Sequence, residues 1–235
     1  MLCGCAKEPT GPELLAQVRQ ALTDRDARLD SFQFDATSTA LPSGETVNHS
    51  FYFRSPNKMR AVLAKVERSF DGTTLYEVSA GKKTFTAFAL KLPPPKASLL
   101  LHTTFAPFVP EGFRTPLMPM KGVTAQKTGR NAVELSMSPG EGVTVTYRLR
   151  WPGGDFLEKR TVSPSGRTTL KMEFEHCDAA LKLCVPQDLG EFLDGVRVVG
   201  TSLHHIGLNP ALSADSFVPA APEGFTREAR ELVEE

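Results

Sequence analysis

The stretch Val143-Thr144-Val145-Thr146-Tyr147-Arg148-Leu149-Arg150-Trp151 alternates apolar and polar side chains without a break. Successive side chains of a strand point to opposite faces, so this alternation predicts a β-strand with one apolar face. The same period of two recurs in residues 46–54 and 168–176, and turn sequences such as Pro152-Gly153-Gly154 separate the segments. Repeated along most of the chain, the pattern predicts about eleven antiparallel strands.

A segment near the N-terminus has a different period. Its apolar residues recur every three or four positions, which predicts an amphipathic helix from about residue 12 to residue 30. The charged tail, residues 226–235, is compatible with a further helix. The predicted fold class is therefore mainly β with α, in a single domain at residues 12–235. The apolar helix positions are Leu14, Leu15, Val18, Ala21, Leu22 and Leu29.

The composition excludes several classes of function. The 235 residues carry 27 basic and 27 acidic side chains, and this balance argues against nucleic acid as the main partner. No run of 18 apolar residues is present, so no membrane-spanning helix is predicted. The G-x-S-x-G, H-E-x-x-H and Walker motifs are also absent from the sequence, and adjacent His204 and His205 would point to opposite faces of a strand. We therefore predict no enzyme activity, no metal and no cofactor.

Residues 91–122 interrupt the strand pattern with seven prolines. Proline disfavours both a long helix and a central strand. The run Leu99-Leu100-Leu101, followed by Phe105 and Phe108, is nevertheless too apolar for a solvated linker. We expect a short helix near residues 97–105, within a segment that covers an apolar surface.

The four cysteines form two pairs in the sequence. Cys177 and Cys184 lie beside strand-like segments, and we predict a disulfide between them, which is typical of an oxidising compartment. The alternative is two reduced, unrelated thiols. Leu2-Cys3-Gly4-Cys5 is similar to the end of a bacterial lipobox, which makes Cys5 the predicted lipidation site and residues 1–11 an anchor and tether. The alternative is two chance cysteines.

Several short motifs follow one another in a characteristic order. Together they resemble the outer-membrane lipoprotein carrier and sorting family (LolA/LolB-like). One position departs from this pattern: the soluble carrier has an arginine directly before the proline that holds its lid, whereas this chain has Ser55 there and Arg54 one residue earlier. The motifs are Phe51-Tyr52-Phe53-Arg54-Ser55-Pro56-Asn57-Lys58-Met59-Arg60, Phe70-Asp71-Gly72-Thr73-Thr74-Leu75-Tyr76, Leu183-Cys184-Val185-Pro186, Asn209, Asp215-Ser216-Phe217 and Pro222-Glu223-Gly224-Phe225.

The resemblance implies an incomplete, curved antiparallel β-barrel, closed over an apolar cavity by helices, with residues 91–122 as the lid. It implies a non-catalytic protein of the bacterial cell envelope, facing the periplasm and lipid-anchored to the outer membrane. Such a monomeric, chaperone-like protein would bind acyl chains of lipids or lipoproteins and work with envelope transport partners in lipoprotein transport to the outer membrane.

Strand alternation selects the predicted cavity wall. The apolar strand faces could instead form a plain β-core without a cavity. The alternative function would then be that of a sensory or structural module of the same fold that binds a protein partner. The predicted lid side chains are Leu99, Leu100, Leu101, Phe105 and Phe108. The predicted wall consists of Val47, Phe51, Phe53, Met59, Leu63, Val145, Tyr147, Leu149, Trp151, Leu170, Met172 and Phe174.

Overall fold

The computed structural model describes residues 11–114, 122–140 and 142–233, and most of them belong to one open sheet of fourteen strands. The strand order is β14-β6-β5-β4-β3-β2-β1-β13-β12-β11-β10-β9-β8-β7. The predicted fold class, mainly β with an N-terminal helix, is confirmed. The strands are β1 (Ser31–Ala40), β2 (Thr46–Arg54), β3 (Lys58–Leu63), β4 (Val66–Phe70), β5 (Thr74–Ser79), β6 (Thr84–Lys91), β7 (Thr124–Lys127), β8 (Ala132–Gly140), β9 (Val143–Arg150), β10 (Phe156–Ser163), β11 (Gly166–Asp178), β12 (Leu183–Leu193), β13 (Val196–Leu208) and β14 (Thr226–Val233).

Two α-helices accompany the sheet. α1 (Gly11–Ala27) is the predicted N-terminal helix, and α2 (Pro94–Phe105) is the short helix expected in the proline-rich segment. Single 3₁₀ turns are formed by Ala106–Phe108 and Ala214–Phe217. Within the described residues, neither α-helix is long and apolar enough to cross a membrane.

β14 is a strand, so residues 226–233 do not form the helix with which their charged sequence is compatible. β14 pairs in parallel with β6 along its whole length, from Thr226 opposite Thr84 to Val233 opposite Lys91. Lys91 also forms an ion pair with Glu231 at 2.6 Å. The many charged residues of the tail suit an exposed helix, but the free edge of β6 offers a ladder of backbone hydrogen bonds that overrides this local preference.

The chain divides into two compact units, each with many contacts among its own residues. Unit 1 comprises residues 1–28 and 114–200, and unit 2 comprises residues 29–113 and 201–235. The core of unit 1 forms where Leu14, Val18 and Leu22 of α1 pack against the apolar faces of the strands. These three residues share one helix face because they are spaced by four positions. The other buried members of this core are Val123, Val133, Leu135, Tyr147, Leu149, Phe156 and Leu189.

In unit 2, the segment after β13 is bound to the polar face of the sheet. Asn209 accepts hydrogen bonds from the backbone N–H groups of Asp30 and Ser31 through Oδ1, at 2.8 and 3.1 Å. Arg54 donates to the carbonyl of Leu212 at 2.9 Å. Further along, Ser69 Oγ donates to the carbonyl of Phe217 at 2.6 Å. Arg54 therefore holds this C-terminal segment.

Candidate functional site

Unit 2 contains a layer of six buried phenylalanines, which we call the phenylalanine layer. Neighbouring ring centroids lie between 4.9 and 6.4 Å apart, and all six side chains are buried. Among the described residues of this unit, no buried side chain is charged. Such a surface suits a long apolar ligand. The six residues are Phe32, Phe34, Phe51, Phe53, Phe105 and Phe113.

Strand register builds this layer. In the β1–β2 ladder, Phe32 lies opposite Phe53 and Phe34 lies opposite Phe51. Residues two apart on a strand share a face, so the four rings stand together on one side of the sheet. Phe32 is close to both strand neighbours, with its ring centroid 5.0 Å from that of Phe53 and 5.9 Å from that of Phe51.

The third strand continues the same face with smaller side chains. Met59 lies opposite Phe53, Ala61 opposite Phe51, and Leu63 opposite His49. Ala61 is completely buried. The predicted wall residues Met59 and Leu63 therefore share a face with the phenylalanine layer.

Above the layer lie α2 and residues 106–113, which together we call the cover. Leu101 and Phe105 are one helical turn apart and both are buried. The Phe113 ring, at the end of the cover, lies 5.0 Å from Phe32 and 4.9 Å from Phe34 between centroids. Leu99, on α2, is 63% exposed. The cover therefore contributes two rings to the layer and also presents an apolar side chain to solvent.

His49 connects the sheet to the cover. Its Nε2 donates a hydrogen bond to the carbonyl of Phe108 at 3.1 Å. The ring also meets Phe34 and Phe108 edge to face. Burial lowers the pKa of His49, and the hydrogen bond to Phe108 opposes this effect only in part. The surroundings of His49 therefore disfavour the protonated imidazole.

The structure distributes the predicted wall residues between the two units. Phe51, Phe53, Met59 and Leu63 lie on the face of β2 and β3 described above, whereas Val47, at the start of β2, is 55% exposed. The wall residues that belong to the unit 1 core, either within it or packed against it, are Val145, Tyr147, Leu149, Trp151, Leu170 and Met172.

Phe174 is the wall residue that points furthest into solvent, with 67% of its surface exposed. The β11–β12 register shifts between Met172 and Phe174 and again between Phe174 and Glu175. A β-bulge of this kind changes which face a side chain points to. Strict alternation, on which the wall prediction depends, therefore does not hold at this point of β11.

Two surface grooves of unit 1 meet at Trp151. One, of about 820 Å³, lies between α1 and the β9–β10 turn and is lined by residues such as Gln17, Ala21 and Pro152. The other, of about 560 Å³, is more polar and includes Arg148 and Arg150. Both are open grooves beside the helix-covered core.

Sequence reasoning did not assign four residues of the site. Phe32 and Phe34 were detectable, because they alternate along β1 just as Phe51 and Phe53 do along β2. His49 has the same alternation as Phe51, but alternation alone does not show a hydrogen-bond partner 59 residues away in the chain. Phe113 lies outside any strand or helix, so no periodic pattern could indicate its place.

The predicted disulfide between Cys177 and Cys184 is confirmed. The two residues are directly opposite in the β11–β12 ladder. The Glu175 carboxylate lies beside the two sulfur atoms, but oxidised sulfurs do not supply the thiolates that a metal would require. Cys5, the predicted lipidation site, lies outside the described residues.

Comparison of the sequence with protein-family models and with curated proteins yields no match. Solved structures do match. A LolA superfamily protein from Nitrosomonas europaea is 12% identical, with a TM-score of 0.51 over 86% of this chain and 97% of that chain. A domain from Vibrio parahaemolyticus, assigned to outer-membrane lipoprotein sorting, is 8% identical, with a TM-score of 0.51 over 85% of this chain and 95% of that chain.

A DUF1329 family protein from Desulfovibrio piger is similar to the same extent. It is 11% identical, with a TM-score of 0.52 over 88% of this chain and 98% of that chain. At these identities, the likeness shows the fold alone. The chain therefore has a LolA-like fold, and the resemblance seen in the sequence motifs is confirmed at that level.

Proposed function

We propose that the protein binds an acyl chain of a lipid or lipoprotein between the cover and the four rings of the layer that belong to β1 and β2, which are Phe32, Phe34, Phe51 and Phe53. The observation that carries this proposal is the uncharged layer of six buried rings, completed by a short helix that begins within three consecutive prolines. An acyl chain needs only apolar contact, so this surface can bind many related chains without chemistry.

The energies permit the cover to move aside for a ligand. Burial of a leucine or phenylalanine side chain contributes about 1.5–3 kcal/mol, so Leu101, Phe105 and Phe113 together hold the cover with about 4.5–9 kcal/mol. An acyl chain contributes about 0.8 kcal/mol per buried CH₂, or about 8 kcal/mol for ten of them. An acyl chain of ten or more CH₂ groups is therefore comparable in energy with the loss of these three contacts.

The role we propose is lipoprotein sorting or transport to the outer membrane, without catalysis. The protein would act as a monomer in the cell envelope, facing the periplasm, with a lipid anchor on Cys5. The LolA-like fold and the disulfide support this role, because the fold is shared with a domain assigned to lipoprotein sorting and the disulfide suits an oxidising compartment.

Titration with a neutral fluorescent lipid probe tests the binding site. Leu100, half-buried on α2, is replaced by Glu, and exposed Ser98 on the same helix is replaced by Glu as the matched control. A charge at Leu100 must be desolvated when the acyl site closes, so Leu100→Glu should weaken binding at least about tenfold while Ser98→Glu binds like the wild type. Circular dichroism verifies folding. Equal binding by both variants, or no binding by the wild type, refutes the proposal.

A second candidate function is a module of the same fold that binds a protein partner, in a sensory or structural role. The exposure of Phe174 favours it, because aromatic side chains are enriched at the cores of protein–protein interfaces. Phe174→Ala should then abolish capture of a partner from the native envelope while lipid-probe binding remains unchanged. Loss of probe binding without any change in partners would contradict this function.

A further inference from the structure

His49 lies at the contact between β2 and the cover. Its ring centroid is 6.1 Å from that of Phe34 below and 5.7 Å from that of Phe108 in the cover. The Nε2–Phe108 carbonyl hydrogen bond, at 3.1 Å, joins a side chain of the sheet to the backbone of the cover. The imidazole therefore has both a packing and a hydrogen-bonding contact with the segment that must move for a ligand to enter.

We propose that His49 is a positioning residue that holds the cover closed in its neutral form, and that its protonation in mild acid opens the acyl site. This inference rests on the function proposed above. It adds a condition, namely that the affinity for an apolar ligand depends on pH through one side chain.

No charged partner that would stabilise an imidazolium faces His49 from the neighbouring strands. The residues directly opposite are Ala36 on β1 and Leu63 on β3. Asp35, the nearest carboxylate on β1, belongs to the other face, where it accepts hydrogen bonds from Ser50 and His205.

The titratable groups of the cover itself are placed differently. Lys96 and His102 are exposed on α2, and Glu111 is half-buried three residues after Phe108. None of the three acts on the pKa of His49, which is set by burial and by the Phe108 carbonyl. Protonation therefore places a charge beside apolar rings, where the half-buried imidazolium has only the Phe108 carbonyl to balance it.

The direction of the pH effect follows from this burial. The pKa of His49 is lower with the cover closed than it would be in water, near 6.5. The closed state is therefore fully favoured above about pH 6.5 and loses stability as the pH falls below that value. Once open, the imidazolium is hydrated and the phenylalanine layer becomes accessible.

The experiment measures binding of the neutral probe N-phenyl-1-naphthylamine at pH 7.5 and pH 5.5. The wild type should bind the probe at least about threefold more tightly at pH 5.5 than at pH 7.5, because proton uptake by His49 and opening of the cover are linked. His49→Gln keeps a side-chain N–H donor but does not titrate, so its affinity should be equal at both pH values. His49→Phe keeps an aromatic ring without the hydrogen bond and should bind more tightly than the wild type at pH 7.5.

His102→Gln, an exposed substitution on α2, is the matched control and should keep the wild-type pH dependence. Hydrogen exchange of residues 94–114, compared between wild type and His49→Gln at each pH, reports the cover directly. An unchanged pH dependence in His49→Gln would overturn the inference while leaving the acyl site intact. If no protein binds the probe at either pH, the proposed function is overturned. In that case, equal hydrogen-exchange rates of the cover in the wild type and in His49→Gln would also show that His49 does not hold the cover.

Discussion

Arg25 is a cation in the interior of unit 1, with only 2% of its surface exposed. Its Nε lies 3.3 Å from Oδ1 of Asp155, and its Nη2 donates to the carbonyl of Cys184 at 3.2 Å. Burial lowers the pKa of Arg25, and the carboxylate of Asp155 opposes that effect. The pair thus joins α1 to the start of β10 and to β12, at the cost of desolvating two charges.

Removal of Asp155 should leave this cation without its main counter-charge. Asp155→Ala is expected to lower the free energy of unfolding by about 3–5 kcal/mol, as is usual when one partner of a buried ion pair is removed. Glu228→Ala removes the partner of exposed Arg230 and should cost about 0–1 kcal/mol. Urea unfolding of the three proteins tests this. Equal losses in the two variants would show that Arg25 is adequately solvated.

Asp71 shows how one turn residue makes stability depend on pH. Burial raises its pKa, but hydrogen bonds from the backbone N–H groups of Thr74 and Thr73, with others from Thr73 and Tyr76 side chains, lower it further than burial raises it. The net pKa lies below that of an unfolded aspartate, so the carboxylate stabilises the hairpin above about pH 4 and this contribution is lost as the pH falls below it.

Asp71→Asn should therefore have a lower free energy of unfolding than the wild type at pH 7. The difference in free energy of unfolding between the two proteins should narrow steadily toward pH 3. Urea midpoints at several pH values measure this difference. Glu45→Gln, in the exposed turn before β2, serves as the control and should show no such convergence. A difference that is constant with pH would mean that the amide replaces the carboxylate fully at this turn.

At the scale of elements, the sequence predicted helices and strands well where apolar residues recur regularly. It did not predict the irregular places. α1 follows from the spacing of Leu14, Val18 and Leu22, and the strands follow from alternation such as that of Phe51 and Phe53. Phe174 violates its pattern because a bulge depends on pairing with β12, which no local sequence encodes. The tail is a similar case, because its strand conformation depends on a distant edge.

β14 shields the edge of β6, which otherwise would offer unpaired backbone groups beside Phe85, Phe88 and Leu90. Exposed apolar edges pair readily with other chains. A chain that ends at Phe225 should therefore self-associate, and light scattering after size-exclusion chromatography should show a mass that rises with concentration. Leu232→Lys, which keeps the backbone ladder and adds charge, is the control. A monomeric truncated chain would show that β6 needs no protection.

At the scale of the whole molecule, alternation marked faces that the structure buries, such as those of Phe51 and Tyr147, but it also included exposed Val47 and Phe174 and could not assign the faces to cores. Each unit packs one helix against its own strands: α1 lies on the core containing Tyr147 and Leu149, and α2 lies on the phenylalanine layer. The prediction that all stripes line one volume follows from alternation alone, which is a local property. Assignment of a stripe to a core requires the order of strands in the sheet, and that order follows from long-range pairing.

The proposed lipid anchor on Cys5 would determine where the whole molecule lies in the cell. The lipobox-like stretch Leu2-Cys3-Gly4-Cys5 makes Cys5 the residue whose thiol would carry the lipid. One acyl chain gives only weak, reversible membrane binding, whereas the several chains of a bacterial lipoprotein anchor it stably. In the native organism, with the chromosomal gene, Cys5→Ala should therefore move the protein from the membrane fraction to the soluble envelope fraction.

Cys3→Ala is the matched control, because it removes a thiol two residues away while leaving the lipid acceptor in place. It should remain with the membranes, and mass spectrometry of its N-terminal peptide should show the same lipid mass as the wild type. If Cys5→Ala also stays with the membranes, the anchor is not at Cys5. Zero net charge gives the protein no general attraction to anionic lipid. Retention of Cys5→Ala in the membrane fraction would then have to come from an apolar surface, such as exposed Leu99. In that case, adding Leu99→Glu to Cys5→Ala would release the protein.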